Sequence, residues 1–328
     1  MITIDDVCIK HAPDSLQPLL DSGDFSAMGL HLSNFKENSH IHKEACRAIA
    51  VCAIQQASVS GLDFAISNGL NLRSKFLSIY DDPDETPRSI LTYAVTKVNS
   101  RSSEHRKAAA VNVKRLILAG KSSGVWEHDY DALAMAAILE NAPLTALILK
   151  HAIPITAVGN RHEFLVQEIA SKYARTKDVM EAFLDAGLAV NDKWIGKWLI
   201  GLCEVRETCY SDRSKNLGII DLFAERGINI DSMLSASCME CSSRKPTTML
   251  RYLIDPITYL NDSLANVIAA LIQNGARFDG CPEADLEAAG REYSTLGAAL
   301  AKRRAAELNK YVQSTSFKAP IEHRRLRI

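Results

Sequence analysis

The sequence has few aromatic residues, few helix breakers and almost no net charge. Of its 328 residues only 6 % are aromatic, and it contains 16 Gly and 10 Pro. Lys and Arg (38) balance Asp and Glu (39), which leaves a formal net charge of −1. Because nucleic acids and anionic membranes are bound through a basic face, we expect neither of them as a partner; the overall charge leaves open a local basic patch.

Signals for export, membrane insertion and cofactor binding are also lacking. The first residues do not show the basic stretch followed by an apolar stretch that marks a secretory signal. Apolar stretches such as residues 132–139 are much shorter than the roughly 20 residues that span a membrane. Neither Gly-x-Gly-x-x-Gly nor His-Glu-x-x-His occurs. We therefore expect a cytoplasmic protein that is not an enzyme and binds no small-molecule cofactor.

Apolar residues recur at helical spacing along the chain. Met180, Phe183, Leu184 and Leu188 show the i, i+3, i+4 pattern of one helix face, and alternating β-branched residues are rare. The pattern predicts helices of about 8–12 residues separated by polar turns. The expected fold class is therefore all-α.

One sequence motif repeats: an apolar helix end, a short spacer, Gly, and an apolar or Asn-containing turn. Clear copies contain Gly69, Gly187, Gly227 and Gly275; weaker copies contain Gly23 and Gly120, and another has His151 in place of Gly. Gly suits this point because it adopts the left-handed conformation that ends many helices. We expect each of these glycines to end a helix in that conformation.

This motif resembles the end of an ankyrin repeat, where the second helix is followed by Gly-Ala-x-x-Asn. The Thr-Pro-Leu-His-x-Ala opening of that repeat is similar to residues 86–94, which begin Thr86-Pro87, and less closely to residues 131–137 and 247–254. The resemblance covers roughly residues 12–310. It implies an ankyrin-like α-solenoid of about six to seven helix-pair repeats.

The spacing of the copies leaves a second repeat class open. The number of residues from one copy's glycine position to the next is mostly larger than the roughly 33 residues of an ideal ankyrin repeat. The extra residues lie in polar inserts at residues 100–105, 204–216 and 238–246. The mean spacing also suits HEAT or armadillo repeats of about 40–47 residues. The recurring Gly–apolar–Asn turn, which HEAT repeats do not need, favours the ankyrin class.

A repeat array needs polar ends, because each helix pair buries its apolar face only against its neighbours. We expect an N-terminal cap region at residues 1–40, degenerate repeats at 41–284, capping helices at 285–312 and a basic tail at 313–328. The tail contains Arg324, Arg325 and Arg327.

Two groups of cysteines raise alternatives. Four thiolates could form a zinc site from Cys203, Cys209, Cys238 and Cys241. The repeat register would place the two pairs at opposite ends of their helices, so we expect reduced thiols and no metal. Cys46 or Cys52 with His40 or His42 could instead form a nucleophilic site. Packing of both cysteines in a helix over residues 45–54 is the simpler interpretation.

The three Trp are conspicuous in a sequence with so few aromatics. Trp126, His128 and Tyr130 lie between a repeat-ending Gly and the next helix, and Trp194 and Trp198 begin a first helix. They either fill gaps between irregular repeats or line a binding face. We predict that these five residues bind the partner.

The resemblance implies a function by binding. Repeat arrays present long concave surfaces, so the chain is expected to be a protein-binding scaffold. Degenerate ankyrin-like chains with inserts look similar to bacterial secreted effectors and to phage or plasmid accessory proteins. In that setting the scaffold would inhibit or sequester a partner protein, in the host cytosol if it is a secreted effector. The alternative is an enzyme with an N-terminal Cys/His site to which the repeats deliver substrate.

Overall fold

The computed structural model describes fifteen stretches of the chain in two compact units, Met1–Ala189 and Val190–Ile328. The described residues are 2–4, 7–9, 13–37, 39–73, 75–78, 88–99, 102–155, 160–190, 194–195, 198, 214–230, 233–234, 247–254, 262–278 and 281–316. Most of them are helical and the strands among them are short, so the all-α prediction is confirmed. No helix in this described part is long and apolar enough to cross a membrane.

The first unit contains a small antiparallel sheet that the sequence analysis did not predict. Its strands are β1 (Ile2–Ile4), β2 (Val7–Ile9), β3 (Lys75–Ser78) and β4 (Arg88–Ser89), paired in chain order. The segments Ile-Thr-Ile and Val-Cys-Ile are rich in β-branched residues, which favour strands. The segments are too short to show a clear alternating pattern, which explains why the sheet was missed.

The helices of the first unit mostly begin at a capping residue. A 3-10 turn, Asp14–Leu16, precedes α1 (Gln17–Ser22), α2 (Phe25–Leu32), α3 (His40–Gln55), α4 (Val59–Ser67), α5 (Ile90–Lys97), α6 (Ser103–Lys121), α7 (Tyr130–Ile138), α8 (Ala142–His151), α9 (Asn160–Tyr173) and α10 (Lys177–Asp185). The side chains of Ser58, Asn141 and Thr176, for example, accept the backbone N–H that each following helix leaves free.

These helices contact one another in two rows. Helices α3, α5, α7 and α9 contact in succession, and so do α4, α6, α8 and α10. Helices α3 and α4, α5 and α6, and α7 and α8 also pack as pairs. Ile49, Leu91, Leu133 and Ile148 are buried between them. The core of this unit is therefore shared from one helix pair to the next.

The repeat-ending glycines behave as predicted at five of the seven copies. Gly23, Gly69, Gly187, Gly227 and Gly275 all have φ between +67° and +96°. In each case the N–H of the next residue bonds to a carbonyl five residues back, as Leu188 does to Phe183 at 3.1 Å. This bond pattern ends a helix with a left-handed residue.

Three details of the predicted repeat register are wrong. Gly120 lies inside α6, and the left-handed residue of this turn is Gly124, with φ +61°. The bond from Ile153 N to Ile148 O puts Ala152, not His151, at the glycine position of α8. Helix α5 begins at Ile90 and is capped by Ser89, so it opens three residues later than a Thr-Pro start would place it. Residues 86–87 themselves lie outside the described residues.

The second unit contains five described helices and a two-stranded antiparallel sheet. Its elements are α11 (Ser214–Glu225), β5 (Met233–Leu234), β6 (Thr247–Thr248), α12 (Met249–Ile254), α13 (Asp262–Gln273), α14 (Glu283–Glu292) and α15 (Ser294–Ser316). Helix α13 packs on α11, α12 and α15. Leu296, Ala299 and Leu300 are buried on α15, and residues 304–314 are exposed.

Candidate functional site

A polar pocket opens beside the turn between α6 and α7, and we call it the turn pocket. Its volume is about 440 Å³. It is lined by Leu72, Arg73, Lys75, Ser89, Gly124, Val125, Trp126, His128, Asp129 and Asp131. Arg73, Lys75, His128 and Asp131 are exposed. The pocket therefore offers groups of both charge signs to a ligand or partner.

Asp129 fixes the wall of the turn pocket. Its carboxylate accepts hydrogen bonds from the Thr92 hydroxyl, at 3.0 Å, and from the Ser89 hydroxyl. Ser89 in turn caps α5 by accepting from the backbone N–H of Thr92 at 2.9 Å. Burial raises the pKa of Asp129, and the two hydroxyl hydrogen bonds oppose that shift. The network ties the α6–α7 turn to the start of α5.

Tyr130 and His128 stand next to a buried histidine. The Tyr130 hydroxyl and Nδ1 of His162 form a hydrogen bond of 2.7 Å, and the Tyr130 and His128 ring centroids are 6.2 Å apart. His162 is only 2 % exposed, and burial lowers its pKa. Tyr130 is half-buried and His128 is exposed. Of the five predicted partner-binding residues, these two are at least partly accessible to solvent.

Trp126 belongs to the core and not to an exposed binding face. Its side chain is 2 % exposed, and its indole Nε1 donates to the Leu116 carbonyl at 3.0 Å. A Cβ added to Gly120 would lie 2.1 Å from that nitrogen. Gly120 therefore makes room for the indole ring, which fills the space over α6.

Trp194 and Trp198 are also buried. They are 6 % and 2 % exposed, and both meet the ring of Phe223 edge-on, with centroid distances of 6.2 and 5.1 Å. Such edge-to-face contacts are typical of packed aromatic clusters. The prediction that the three Trp side chains are exposed anchors is corrected accordingly: they fill the core, which was the competing interpretation.

The cysteines of α3 are packed as the simpler interpretation predicted. Cys46 donates to the Asn68 carbonyl at 3.2 Å and lies 3.8 Å from Nδ1 of His42, while Cys52 donates to the Leu20 carbonyl at 3.4 Å. Burial raises the pKa of each thiol to about 11. A nucleophilic thiol needs a lowered pKa, so this geometry does not favour the Cys/His site. His40 is exposed at the start of α3.

A serine-hydrolase sequence pattern and the possible zinc site remain to be placed in the fold. Residues 120–124, Gly-Lys-Ser-Ser-Gly, match the Gly-x-Ser-x-Gly pattern of serine hydrolases, which sequence reasoning missed. That serine belongs between a strand and a helix, whereas Ser122 follows the end of α6. Cys203, Cys209, Cys238 and Cys241 lie outside the described residues. Within the described ranges, no three His, Cys, Asp or Glu side chains are grouped to hold a metal.

Comparisons with protein-family models, curated proteins and solved structures find no match for the chain. The site must therefore be interpreted from its own geometry. Sequence reasoning identified His128 and Tyr130 but missed His162 and the hydrogen-bonding role of Asp129. The position of Asp129 immediately before the first helical residue of α7 was the available signal, because Asp is favoured there.

Proposed function

We propose that the chain is a protein-binding scaffold of degenerate ankyrin-like repeats that binds a partner protein at the turn pocket. The two rows of helices in the first unit carry this proposal. In a repeat array each helix pair rests on the next, and the contacts along α3, α5, α7, α9 and along α4, α6, α8, α10 have that form.

The short hairpins favour the ankyrin class over HEAT or armadillo repeats. The number of residues from Gly69 to Lys75, where β3 begins, equals the number from Gly227 to Met233, where β5 begins. Lys75 pairs with Ser89 and Met233 pairs with Thr248, and each partner directly precedes the next helix. The same hairpin thus connects a second helix to a following first helix in both units. Ankyrin repeats are connected through a β-turn at this point, and HEAT and armadillo repeats are helical throughout.

The turn between the two helices of a pair also recurs with the same backbone conformation. Ala57 and Glu140, both with φ +52°, are the only described non-glycine residues with positive φ. Each ends the first helix of a pair, and Ser58 or Asn141 directly after it caps the second helix. A left-handed conformation in β-carbon-bearing residues costs energy, so its recurrence at equivalent places supports a common repeat plan.

The turn pocket is the surface that suits partner binding best in this scaffold. It lies where the β3–β4 hairpin and the α6–α7 turn meet, and its rigid wall is set by Asp129. Arg73 and Lys75 provide positive charge, and Asp131 provides negative charge. A partner loop with both an acidic and a basic side chain would pair with both, while His128 supplies a ring at the rim.

The proposed setting is the cytosol, and the proposed outcome of binding is inhibition or sequestration of the partner. Both follow from the resemblance to effector and accessory ankyrin proteins, since a scaffold without its own chemistry acts by occupying its target.

A photo-cross-linking amino acid in place of His128 tests the proposal. In cells that naturally express the chain, we expect one protein to be cross-linked reproducibly, and the purified protein to bind the unmodified chain. The same group in place of exposed Glu37 is the control and should not capture it. Equal capture from both positions, or no binding by the purified protein, would overturn the proposal.

A further inference from the structure

Helices α6 and α8 concentrate positive charge in a chain that is nearly neutral. Helix α6 contains Arg106, Lys107, Lys114, Arg115 and Lys121 against one acid, Glu104. Helix α8 contains Lys150 and no acidic residue. The two helices are neighbours in the second row of the first unit. Their outer surface is therefore basic, although the formal net charge of the chain is −1.

A groove between the same two helices is largely apolar. It has a volume of about 270 Å³ and includes Val111 and Lys114 from α6 and Pro143 and Leu147 from α8. Val111 is 41 % exposed, and Leu118, one turn beyond Lys114 on α6, is 46 % exposed. Isolated exposed apolar residues are common, but these two lie along one helix face beside an apolar groove.

Basic residues continue beyond the groove on the same two helices. Lys114 lines the groove, and burial together with the charges of Lys121, Lys150 and Lys114 lowers the pKa of His151 at the end of α8. No acidic side chain of the described residues forms an ion pair with any of the three lysines, whereas Arg115 pairs with Asp63 at 3.6 Å. The positive charges at this end are therefore not neutralised within the described part of the chain.

We propose that this surface, the basic groove, binds an acidic amphipathic helix of a partner protein. Apolar side chains of that helix would enter the groove beside Val111 and Leu147, and its carboxylates would meet Lys121 and Lys150. Val111 and Lys121 are about 15 Å apart along α6, so the apolar and acidic positions of the bound helix lie within three turns. Helix-in-groove binding of this kind combines apolar anchors with charge pairing.

The apolar part of the groove is the reason to prefer an acidic helix over a nucleic acid. A nucleic-acid backbone would neutralise the lysines but would leave Val111, Leu118 and Leu147 without apolar contacts. An anionic membrane would accept both kinds of side chain, but the recess between α6 and α8 fits a protruding side chain better than a flat lipid surface. This surface shares no residue with the turn pocket, so the inference stands or fails independently of the proposed function.

Direct binding of a synthetic peptide to the full chain tests the proposal. The probe is a Glu-rich helical peptide of about 15 residues with Leu at i, i+3 and i+7. We expect binding at low salt that weakens as salt rises, because exposed charges are screened. A peptide with Lys in place of Glu, and one with Ser in place of Leu, should each bind at least tenfold more weakly.

Variants of the chain locate the binding surface. Lys121→Glu with Lys150→Glu should weaken peptide binding at least tenfold, and Lys121→Gln with Lys150→Gln should weaken it less. Lys302→Glu with Lys310→Glu, an equal charge change on exposed positions of α15, is the control and should have no effect. Leu118→Ser should weaken binding while the chain stays folded by circular dichroism, because Leu118 is 46 % exposed.

Three outcomes would overturn the proposal. One is peptide binding that the Lys121 and Lys150 variants do not change. Another is no peptide binding at low salt while the chain remains folded by circular dichroism. The third is binding of phosphatidylserine vesicles or duplex DNA, lost in the same variants, with no binding of the peptide; this would identify the partner as a membrane or a nucleic acid.

Discussion

The indole Nε1 of Trp126 donates a hydrogen bond to the carbonyl oxygen of Leu116, at 3.0 Å, across the end of α6. This bond gives the buried indole N–H an acceptor on the last turns of α6. It also fixes the turn that carries His128 and Asp129 into the turn pocket. The Trp is thus a positioning residue for the site.

Replacing Trp126 should therefore cost stability. We expect Trp126→Ala to lower the free energy of unfolding by ~3–5 kcal/mol, as for other buried aromatics. Trp126→Phe keeps a ring but loses the indole hydrogen bond and part of the buried volume, which should cost about 1–3 kcal/mol. Urea unfolding of both variants measures this. Unchanged midpoints would show that the indole is not a core residue.

Two glycine substitutions should cost stability for different reasons. Gly120→Ala places a Cβ against the Trp126 ring, so we expect a loss of several kcal/mol, although Ala is the better helix former. At Gly187 the space is open, but φ is +92°. There Gly187→Ala should cost only about 1–2 kcal/mol of backbone strain. Thermal melts of the two variants compare them, and the reverse order would contradict the packing of Trp126 on Gly120.

The pair of Tyr130 and His162 should make stability depend on pH. Because burial lowers the pKa of His162 below its ordinary 6.5, the unfolded chain binds the proton more readily than the folded chain does. Stability should therefore fall as the pH drops below about 6.5. His162→Gln should reduce this fall but not abolish it, since the pKa of His151 is lowered as well.

Tyr130→Phe isolates the hydrogen bond of that pair. The change leaves Nδ1 of buried His162 without the hydroxyl, and we expect a loss of about 1–2 kcal/mol at pH 8. Urea unfolding at pH 8 and pH 5.5 measures both effects. If wild type and His162→Gln lose equal stability between these pH values, His162 is not the titrating group.

The thiols of α3 should react slowly. With a pKa of about 11, Cys46 and Cys52 hold very little thiolate at pH 8, and both are buried. We expect iodoacetamide to alkylate the partly exposed Cys281 much faster than either of them in the folded chain. Mass spectrometry of peptides after timed labelling measures the three rates. Preferential labelling of Cys46 would revive the Cys/His enzyme hypothesis.

Local features of the fold could be predicted from the sequence, and contacts between distant residues could not. The left-handed conformations at Gly187 and Gly227 follow from a pattern of a few neighbouring residues. The burial of Trp198 depends on Phe223, which the sequence does not mark as its neighbour. The indole of Trp126 needs Gly120 beneath it, so a glycine assigned to a turn serves packing instead.

In the candidate site, too, local patterns could be predicted from the sequence and contacts between distant residues could not. His128 and Tyr130 were predicted because aromatic and polar residues cluster before α7. The hydrogen-bonding role of Asp129 was missed because its partners Ser89 and Thr92 are far away in the sequence and meet it only when α5 and α7 pack together. The basic groove was missed because α6 and α8 are separated by a turn and a helix, so their charges converge only in the folded unit.

The affinity of the cross-linked partner for turn-pocket variants tests the central claim most directly. His128→Ala combined with Asp131→Lys should weaken binding at least tenfold, or about 1.4 kcal/mol, while the chain stays folded, because both side chains are exposed. Glu37→Lys, the same charge change at an exposed position, should bind like wild type. Equal affinity of all three chains, measured by calorimetry, would contradict the claim that the turn pocket is the binding site.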